Sequence, residues 1–383
     1  MEFIDLKRQY QAIKPSVQKR LSDILERASF VMGKEISELE DSLAHYTGAG
    51  HCLTCSSGTD ALLLALMAKG VGPGDAVFTT TFTFIATAEV ISLLGATPIF
   101  VDIDKQTYNI DVWKLRSAIL SVKNGGVVAA GVPAGLTAKA IIPVDLFGLC
   151  AEYDALEAMA KEFKMFLLED AAQSFGATLG ARKACSFGTM AATSFFPAKP
   201  LGCYGDGGAV FCDNKDTMDV LKSLRIHGQG ADKYENVRIG INGRMDTMQA
   251  AVILAKMEIF EQEMERRQVV AARYSHGLRG KVVVPHVPAG TRSAWAQYSI
   301  QCDNREGMMS ALKNRGIPTA IYYPKPLHLQ KAFAQLGYER GQFPVAEEIA
   351  SRIFSLPMHP YLEEKDQDMI IDAICKASEG PAA

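Results

Sequence analysis

Short apolar runs and helix-periodic runs trade places along most of this chain, and that alternation restricts its fold more than any single motif does. The apolar runs stand at residues 51–55, 75–80, 97–102, 140–144 and 165–170, and helical spacing of apolar side chains fills 61–67, 85–94, 112–120 and 153–162 between them. Strands joined through a helix lie parallel, so the pattern predicts an α/β fold with a largely parallel sheet covered by helices. Two helices precede the sheet, marked by Ile13, Val17, Leu21, Ile24 and Leu25 and then by Ile36, Leu39, Leu43 and Tyr46. Residues 248–278 read as one long spine helix. From Val282 the texture changes to short strands at 282–285, 295–302 and 319–323 and helices at 307–312 and 366–377. The expected organisation is a large domain over 1–260, including the N-terminal helices, and a smaller C-terminal α+β domain over 261–383. Residues 122–139, rich in Gly, Ala and Val and almost uncharged, read equally as a flap, a hairpin or a loose loop.

Composition narrows the partners. The net charge is −3 over 383 residues, with Lys and Arg scattered, so no basic field exists to recruit nucleic acid. Eight cysteines sit mostly in apolar or glycine-rich surroundings and read as reduced core thiols. Cys52 and Cys55 have C-x-x-C spacing, but no second such pair or histidine pair completes a zinc set, and no metal site is expected. The N-terminus lacks an apolar signal region, and no stretch approaches the ~20 apolar residues of a membrane helix, so the expected location is the cytoplasm, away from the membrane.

Three features carry chemistry. Residues 193–209 set Lys199 between Thr193-Ser194-Phe195-Phe196 and a run of glycines, which allow backbone to approach closely and fix the amine beside a ligand. Residues 165–170 end on Glu169 and Asp170, and in an open parallel sheet the ligand crevice lies at the carboxyl ends of the strands. Ser56-Ser57-Gly58-Thr59 joins a strand to a helix start, where free N–H groups and the helix dipole favour an anion. Gly202, Gly205 and Gly207 precede a strand rather than a helix, so they form no dinucleotide or triphosphate fingerprint, and a nicotinamide oxidoreductase is disfavoured. An acid at a strand end, a lysine in a glycine-framed loop and a phosphate-sized turn are the parts that hold pyridoxal 5′-phosphate. The lysine forms a Schiff base with the aldehyde, the carboxylate keeps the ring nitrogen protonated, and the helix start takes the phosphate. Phe82 or Phe84 supplies a ring to stack on it.

With these parts in order, the chain resembles the DegT/DnrJ/EryC1/StrS sugar aminotransferases. The likeness rests on Phe3-Ile4-Asp5-Leu6, Ser57-Gly58-Thr59-Asp60-Ala61-Leu62, residues 82–88, Glu169-Asp170-Ala171-Ala172-Gln173-Ser174-Phe175-Gly176, the lysine stretch and Asn242-Gly243-Arg244-Met245-Asp246, and covers nearly the whole chain. Within the family it is greatest to the members that aminate C3 of a UDP-linked 3-keto-N-acetylglucosaminuronic acid, through the run Ser194 to Ala209. The resemblance implies fold type I of the pyridoxal-phosphate-dependent transferases. It makes Lys199 the cofactor-binding lysine, Asp170 the ring-nitrogen partner, Phe84 the stacking ring and Gln173 a neighbour of the ring oxygen. Gly58, Thr59 and Ser194 hold the phosphate, and Asn242 reaches the same phosphate from a second subunit, which implies a homodimer with shared sites. L-Glutamate then leaves its amino group on the cofactor as pyridoxamine phosphate, and a keto nucleotide-sugar for surface polysaccharide, such as lipopolysaccharide O-antigen, receives it.

The expected sugar and diphosphate contacts are the turn 29–34, with Gly33 and Lys34, and the segment 322–328, with Tyr322, Tyr323, Lys325 and His328. Family members often carry proline where this chain has Lys34 and histidine where it has Tyr322, which bears on the sugar and not on the cofactor. Amination at C4 of a 4-keto-6-deoxy sugar is the alternative within the class. A pyridoxal-phosphate-dependent sugar dehydratase and a non-catalytic cofactor-binding regulator are the alternatives outside it. Such dehydratases have histidine at the lysine position, so Lys199 argues against the first, and intact Asp170, Lys199 and the phosphate turn argue against the second.

Overall fold

The computed structural model describes residues 1–378, so the end of the expected C-terminal domain, 379–383, lies outside the described residues. Two helices open the chain, α1 (Leu6–Arg27) and α2 (Lys34–Thr47). Asp5 caps the first by accepting the Arg8 N–H at 2.9 Å. The alternating region follows as β1 (His51–Cys55), α3 (Gly58–Ala68), β2 (Asp75–Thr80), α4 (Ala86–Leu93), β3 (Thr97–Val101) and α5 (Val112–Lys123). It continues with β4 (Thr137–Ile142), α6 (Tyr153–Phe163) and β5 (Phe166–Asp170). A small hairpin, β6 (Thr178–Leu179) and β7 (Arg182–Lys183), precedes β8 (Met190–Ser194), β9 (Gly208–Cys212) and α7 (Lys215–Arg225). The remainder is α8 (Thr247–Met257), α9 (Phe260–Leu278), β10 (Thr291–Arg292), β11 (Tyr298–Gln301), α10 (Arg305–Asn314), α11 (Pro344–Arg352), β12 (Ile353–Leu356) and α12 (Glu364–Ser378).

The seven-stranded sheet has the order β1-β9-β8-β5-β4-β2-β3. All its pairings from β8 to β3 are parallel, whereas β9 is antiparallel to both neighbours. The mostly parallel α/β sheet is therefore as expected, with one reversed strand. Alternate side chains of each strand enter different cores: Cys52, Ile141, Leu167 and Phe211 pack with α2, α5, α6 and α8, and Leu53, Ile142, Leu168 and Val210 pack with α3 and α7. That two-sided burial explains why the strands read as continuous apolar runs rather than alternating ones.

Several local expectations change. The spine helix is broken, because Ile259 leaves helical backbone (φ −118°, ψ 0°) and α8 and α9 are separate. Residues 122–139 divide among α5, the start of β4 and an intervening loop whose Gly131 N–H bonds to the Leu336 carbonyl. Residues 282–285 and 319–323 make only isolated bridges, Val282 to Arg279, Val283 to Gln301 and Ala320 to Ser355, and are not strands. A further core joins α9, α10 and α12 to β11 and β12 through Tyr274, Tyr298, Leu312, Phe354 and Ile374.

Candidate active site

At the carboxyl ends of the parallel strands a cavity of about 470 Å³ opens. Residues at or just beyond five of the strands line it: Ser57, Gly58 and Thr59 after β1, Thr83 and Phe84 after β2, Val144 after β4, Asp170 at the end of β5 and Ser194 at the end of β8. Strand direction alone delivers these side chains to one place. Ser57 caps α3 by accepting the Asp60 N–H at 3.0 Å, and the N–H groups of Gly58 and Thr59 lie in the first turn, where no carbonyl of the helix can reach them. Close approach is why glycine stands here. A Cβ on Gly58 would sit 2.6 Å from the Ser194 Cβ, and one on Gly208 would sit 2.4 Å from the Ser57 carbonyl oxygen.

Lys199 lies in the loop joining the antiparallel pair β8 and β9 and lines the cavity. The loop is closed at its base, where the Phe195 N–H donates to Gly207 O at 2.7 Å and the Cys203 N–H donates to Phe195 O at 2.7 Å. Burial lowers the Lys199 pKa, against the opposing pull of Asp170. Asp170 is buried, with one carboxylate oxygen accepting from the Thr87 hydroxyl at 2.8 Å and the other from the Ala172 N–H at 3.2 Å. Its pKa is raised by burial, with these two donors and Lys199 acting against the rise. The neighbouring acid Glu169 points to the opposite face, as strand geometry requires. There it accepts from the N–H groups of Cys185 and Phe187 at 2.7 and 2.9 Å, and burial beside Asp145 keeps its pKa well above the usual carboxylate range. Of the two acids ending β5, only Asp170 faces the cavity.

Gln173 is fixed at both ends of its amide, accepting the Phe147 N–H at 2.7 Å and donating to the Tyr323 hydroxyl at 3.1 Å. Phe82 is fully buried in the core, whereas Phe84 is 54% exposed at the cavity with its ring 6.2 Å from that of Tyr323. Tyr322 also lines the cavity. The structure thus brings together Gly58, Thr59, Phe84, Asp170, Gln173, Ser194, Lys199 and Tyr322.

Other expected residues lie elsewhere in the chain. His328 is turned into the core: its Nδ1 is 2.7 Å from the Thr81 hydroxyl and its Nε2 is 3.1 Å from Glu347, so neither ring nitrogen is left for a sugar. Gly33 is packed on α8, donating its N–H to Thr247 Oγ1 at 3.0 Å, and Lys34 opens α2 as an exposed residue outside the cavity lining. Lys325 is exposed and does not line the cavity. Asn242 is exposed beside Ile226, with which it forms an isolated bridge, also outside the lining. Thr87 and Gln297 are among the lining residues not named as site residues from the sequence. Thr87 follows Phe84 by three residues, a spacing that places both near one helix start. Gln297 carries no pattern that marks it.

The donor set fits pyridoxal 5′-phosphate. A buried carboxylate suits a protonated ring nitrogen, a lysine amine of lowered pKa suits an aldehyde, and a glycine-lined helix start with Ser194 suits a phosphate. No group of three or more His, Cys, Asp or Glu side chains able to hold a metal occurs among the described residues. No helix among them is long and apolar enough to cross a membrane.

Comparison with known proteins gives the same direction. The model of the DegT/DnrJ/EryC1/StrS aminotransferase family matches residues 11–375. The UDP-2-acetamido-2-deoxy-3-oxo-D-glucuronate aminotransferase of Pseudomonas aeruginosa is 44% identical over 375 residues, covering 98% of this chain and 99% of that one. The crystal structure of a DegT DnrJ EryC1 StrS aminotransferase from Brucella abortus superposes with a TM-score of 0.93 at 50% identity, covering 98% of each chain. Bacillus subtilis NtdA with bound cofactor PMP superposes with a TM-score of 0.86 at 27% identity, covering 96% of this chain and 82% of that one.

Proposed function

The chain belongs to the DegT/DnrJ/EryC1/StrS aminotransferase family, and from that premise we propose that it moves the amino group of L-glutamate to C3 of a UDP-linked 3-keto-N-acetylhexosamine or hexuronic acid for surface polysaccharide. It is a pyridoxal-phosphate-dependent transaminase. The observation that carries the reading is Lys199 and Asp170 facing one cavity, electrostatically coupled, beside the glycine-lined start of α3.

When bound, the cofactor withdraws electrons from the substrate carbon that carries the nitrogen. The protein's own groups do the rest. Gly58, Thr59 and Ser194 would hold the phosphate, and Phe84 would stack on the ring. Asp170, oriented by Thr87 and Ala172, keeps the ring nitrogen protonated, and a cationic N–H against it favours the ionised carboxylate that burial alone disfavours. Lys199 holds the cofactor between turnovers. Its Nζ, when free, would carry the proton between the substrate carbon and the cofactor carbon that shares the nitrogen, and the lowered pKa keeps a larger share of the amine neutral for that work.

The functional unit in this reading is a homodimer with shared sites. Tyr234, Val237 and Ile239 are 85%, 52% and 88% exposed on the segment that leads to Asn242, an apolar surface that a second copy would cover while bringing Asn242 to the phosphate. The large cofactor-binding domain spans 1–260 and the smaller one 261–383, and the cytoplasm is the proposed location.

The test is a panel of 3-keto and 4-keto UDP-, dTDP- and GDP-linked sugars with L-glutamate and the purified, cofactor-loaded protein. Amination of UDP-linked 3-keto sugars is expected. Acceptance of 4-keto sugars alone would overturn the C3 assignment, and sugar deoxygenation would overturn the transaminase.

A further inference from the structure

We propose that Asp145 is a positioning residue for Gln173, its carboxylate fixing the turn that makes Gln173 present an amide N–H, and not its carbonyl, to the cofactor's ring oxygen. The inference rests on the cofactor reading above, in which Gln173 neighbours that oxygen. Asp145 itself is fully buried and does not line the cavity.

The carboxylate ties together two segments far apart in sequence. Its Oδ1 accepts from the Ala151 N–H at 2.9 Å and from the Tyr153 hydroxyl at 2.7 Å, which closes the loop 145–151 on itself. Its Oδ2 accepts from the hydroxyl of Ser174, the neighbour of Gln173, at 2.7 Å. The backbone adds a third tie, the Asp145 N–H donating to Asp170 O at 3.1 Å. Burial raises the Asp145 pKa to about 6, against the pull of its donors, so near pH 8 the acceptor is charged and its hydrogen bonds are of the stronger kind.

The loop passes that order on to the Gln173 amide. Phe147 stands in the left-handed region (φ 59°, ψ 8°), which a non-glycine residue holds only where its surroundings impose it, and its N–H donates to Gln173 Oε1 at 2.7 Å. Gly148 follows so close to Gln173 that a Cβ there would lie 3.1 Å from the Gln173 backbone oxygen. With Oε1 engaged by a backbone donor, Nε2 faces the other way, donates to the Tyr323 hydroxyl at 3.1 Å and has a second N–H left for the cavity that Gln173 lines. Without the Phe147 N–H, the Tyr323 hydroxyl could accept from Nε2 or donate to Oε1, and the amide would have no fixed sense. A ring oxygen bearing negative charge is stabilised by the N–H and repelled by the carbonyl, so the sense of the amide matters.

The test follows, in the cofactor-loaded protein, the pH at which the absorption band of the Lys199-bound cofactor titrates. A donor on the ring oxygen holds that pH down, so Gln173→Ala is expected to raise it by about one to two pH units and serves as the reference. Asp145→Asn and Ser174→Ala are expected to raise it in the same direction by about half to one pH unit, with circular dichroism unchanged. Neither is expected to add to the shift in the Gln173→Ala background, because both act through that amide. An unshifted titration in Ser174→Ala, or shifts that add in full to that of Gln173→Ala, would overturn the inference. Ser174→Ala leaves the loop's own bonds to Asp145 in place, so it decides the matter even where Asp145→Asn does not fold. No shift in Gln173→Ala would overturn the place given to Gln173 and the inference with it, whereas the absence of any lysine-bound band would overturn the cofactor reading itself.

Discussion

The two ends of the cavity are built differently. The cofactor end is made from strand ends, a helix start and a hairpin loop of one sheet, where Gly58, Ser194 and Gly208 approach so closely that a methyl group would collide. Gln297, Tyr322 and Tyr323, which also line the cavity, are carried on segments outside that sheet, and the Tyr323 hydroxyl accepts from Gln173 at 3.1 Å. Chemistry common to many substrates is expected where sheet geometry fixes the side chains, and selection among sugars is expected from the segments outside the sheet.

The largest expected effect attacks the cofactor end. Lys199→Ala is expected to lower turnover by about 10⁴-fold or more while the protein keeps its fold, and circular dichroism together with the loss of the lysine-bound absorption band checks it. Asp170→Asn is expected to cost roughly 10²- to 10⁴-fold, because an amide cannot hold the ring nitrogen protonated. Retention of full activity in either variant would end the contrast, since the sheet-borne groups would then not carry the common chemistry.

The substrate end is expected to respond to acid. His359 is buried, and burial lowers its pKa to about 4, against 6.5 for the free side chain. Between those values the unfolded chain binds the proton and the folded one does not, so stability conferred above pH 6.5 falls as pH drops towards 4. The expected loss is about 2 to 3 kcal/mol by pH 4.5, measurable by denaturant unfolding, and His359→Gln should flatten the slope. His359 follows Met358, whose N–H bonds to Phe3 O, and the Phe3 ring lies 6.4 Å from Tyr322, so proteolysis should open this end first. The mildest test returns to the cofactor end: Gly58→Ala must push Ser194 aside and is expected to weaken cofactor retention about tenfold, followed by dialysis and absorbance.

Much of the cofactor end was legible in the sequence. Asp170 ends an apolar run, Gly58 and Thr59 follow one, and Lys199 sits in a glycine-framed loop, so local pattern and strand direction agree. The reversal of β9 was not legible, because an apolar pentapeptide reads the same in either direction and its pairing depends on the loop before it. The break at Ile259 was hidden because apolar spacing continues across it. His328 read as a ligand because its neighbours Tyr322 and Lys325 are polar, yet Thr81 and Glu347, far away in sequence, claim both nitrogens. Gln297 left no trace, since lining a cavity is a property of three-dimensional surroundings alone.

The reversed strand has one more consequence. Because β8 and β9 are antiparallel neighbours with Ser194 opposite Gly208, the lysine rides on a bracket whose two feet are bolted side by side to the sheet. Neither β10 nor β11 pairs with either foot. The position of the lysine is therefore set within the large sheet alone.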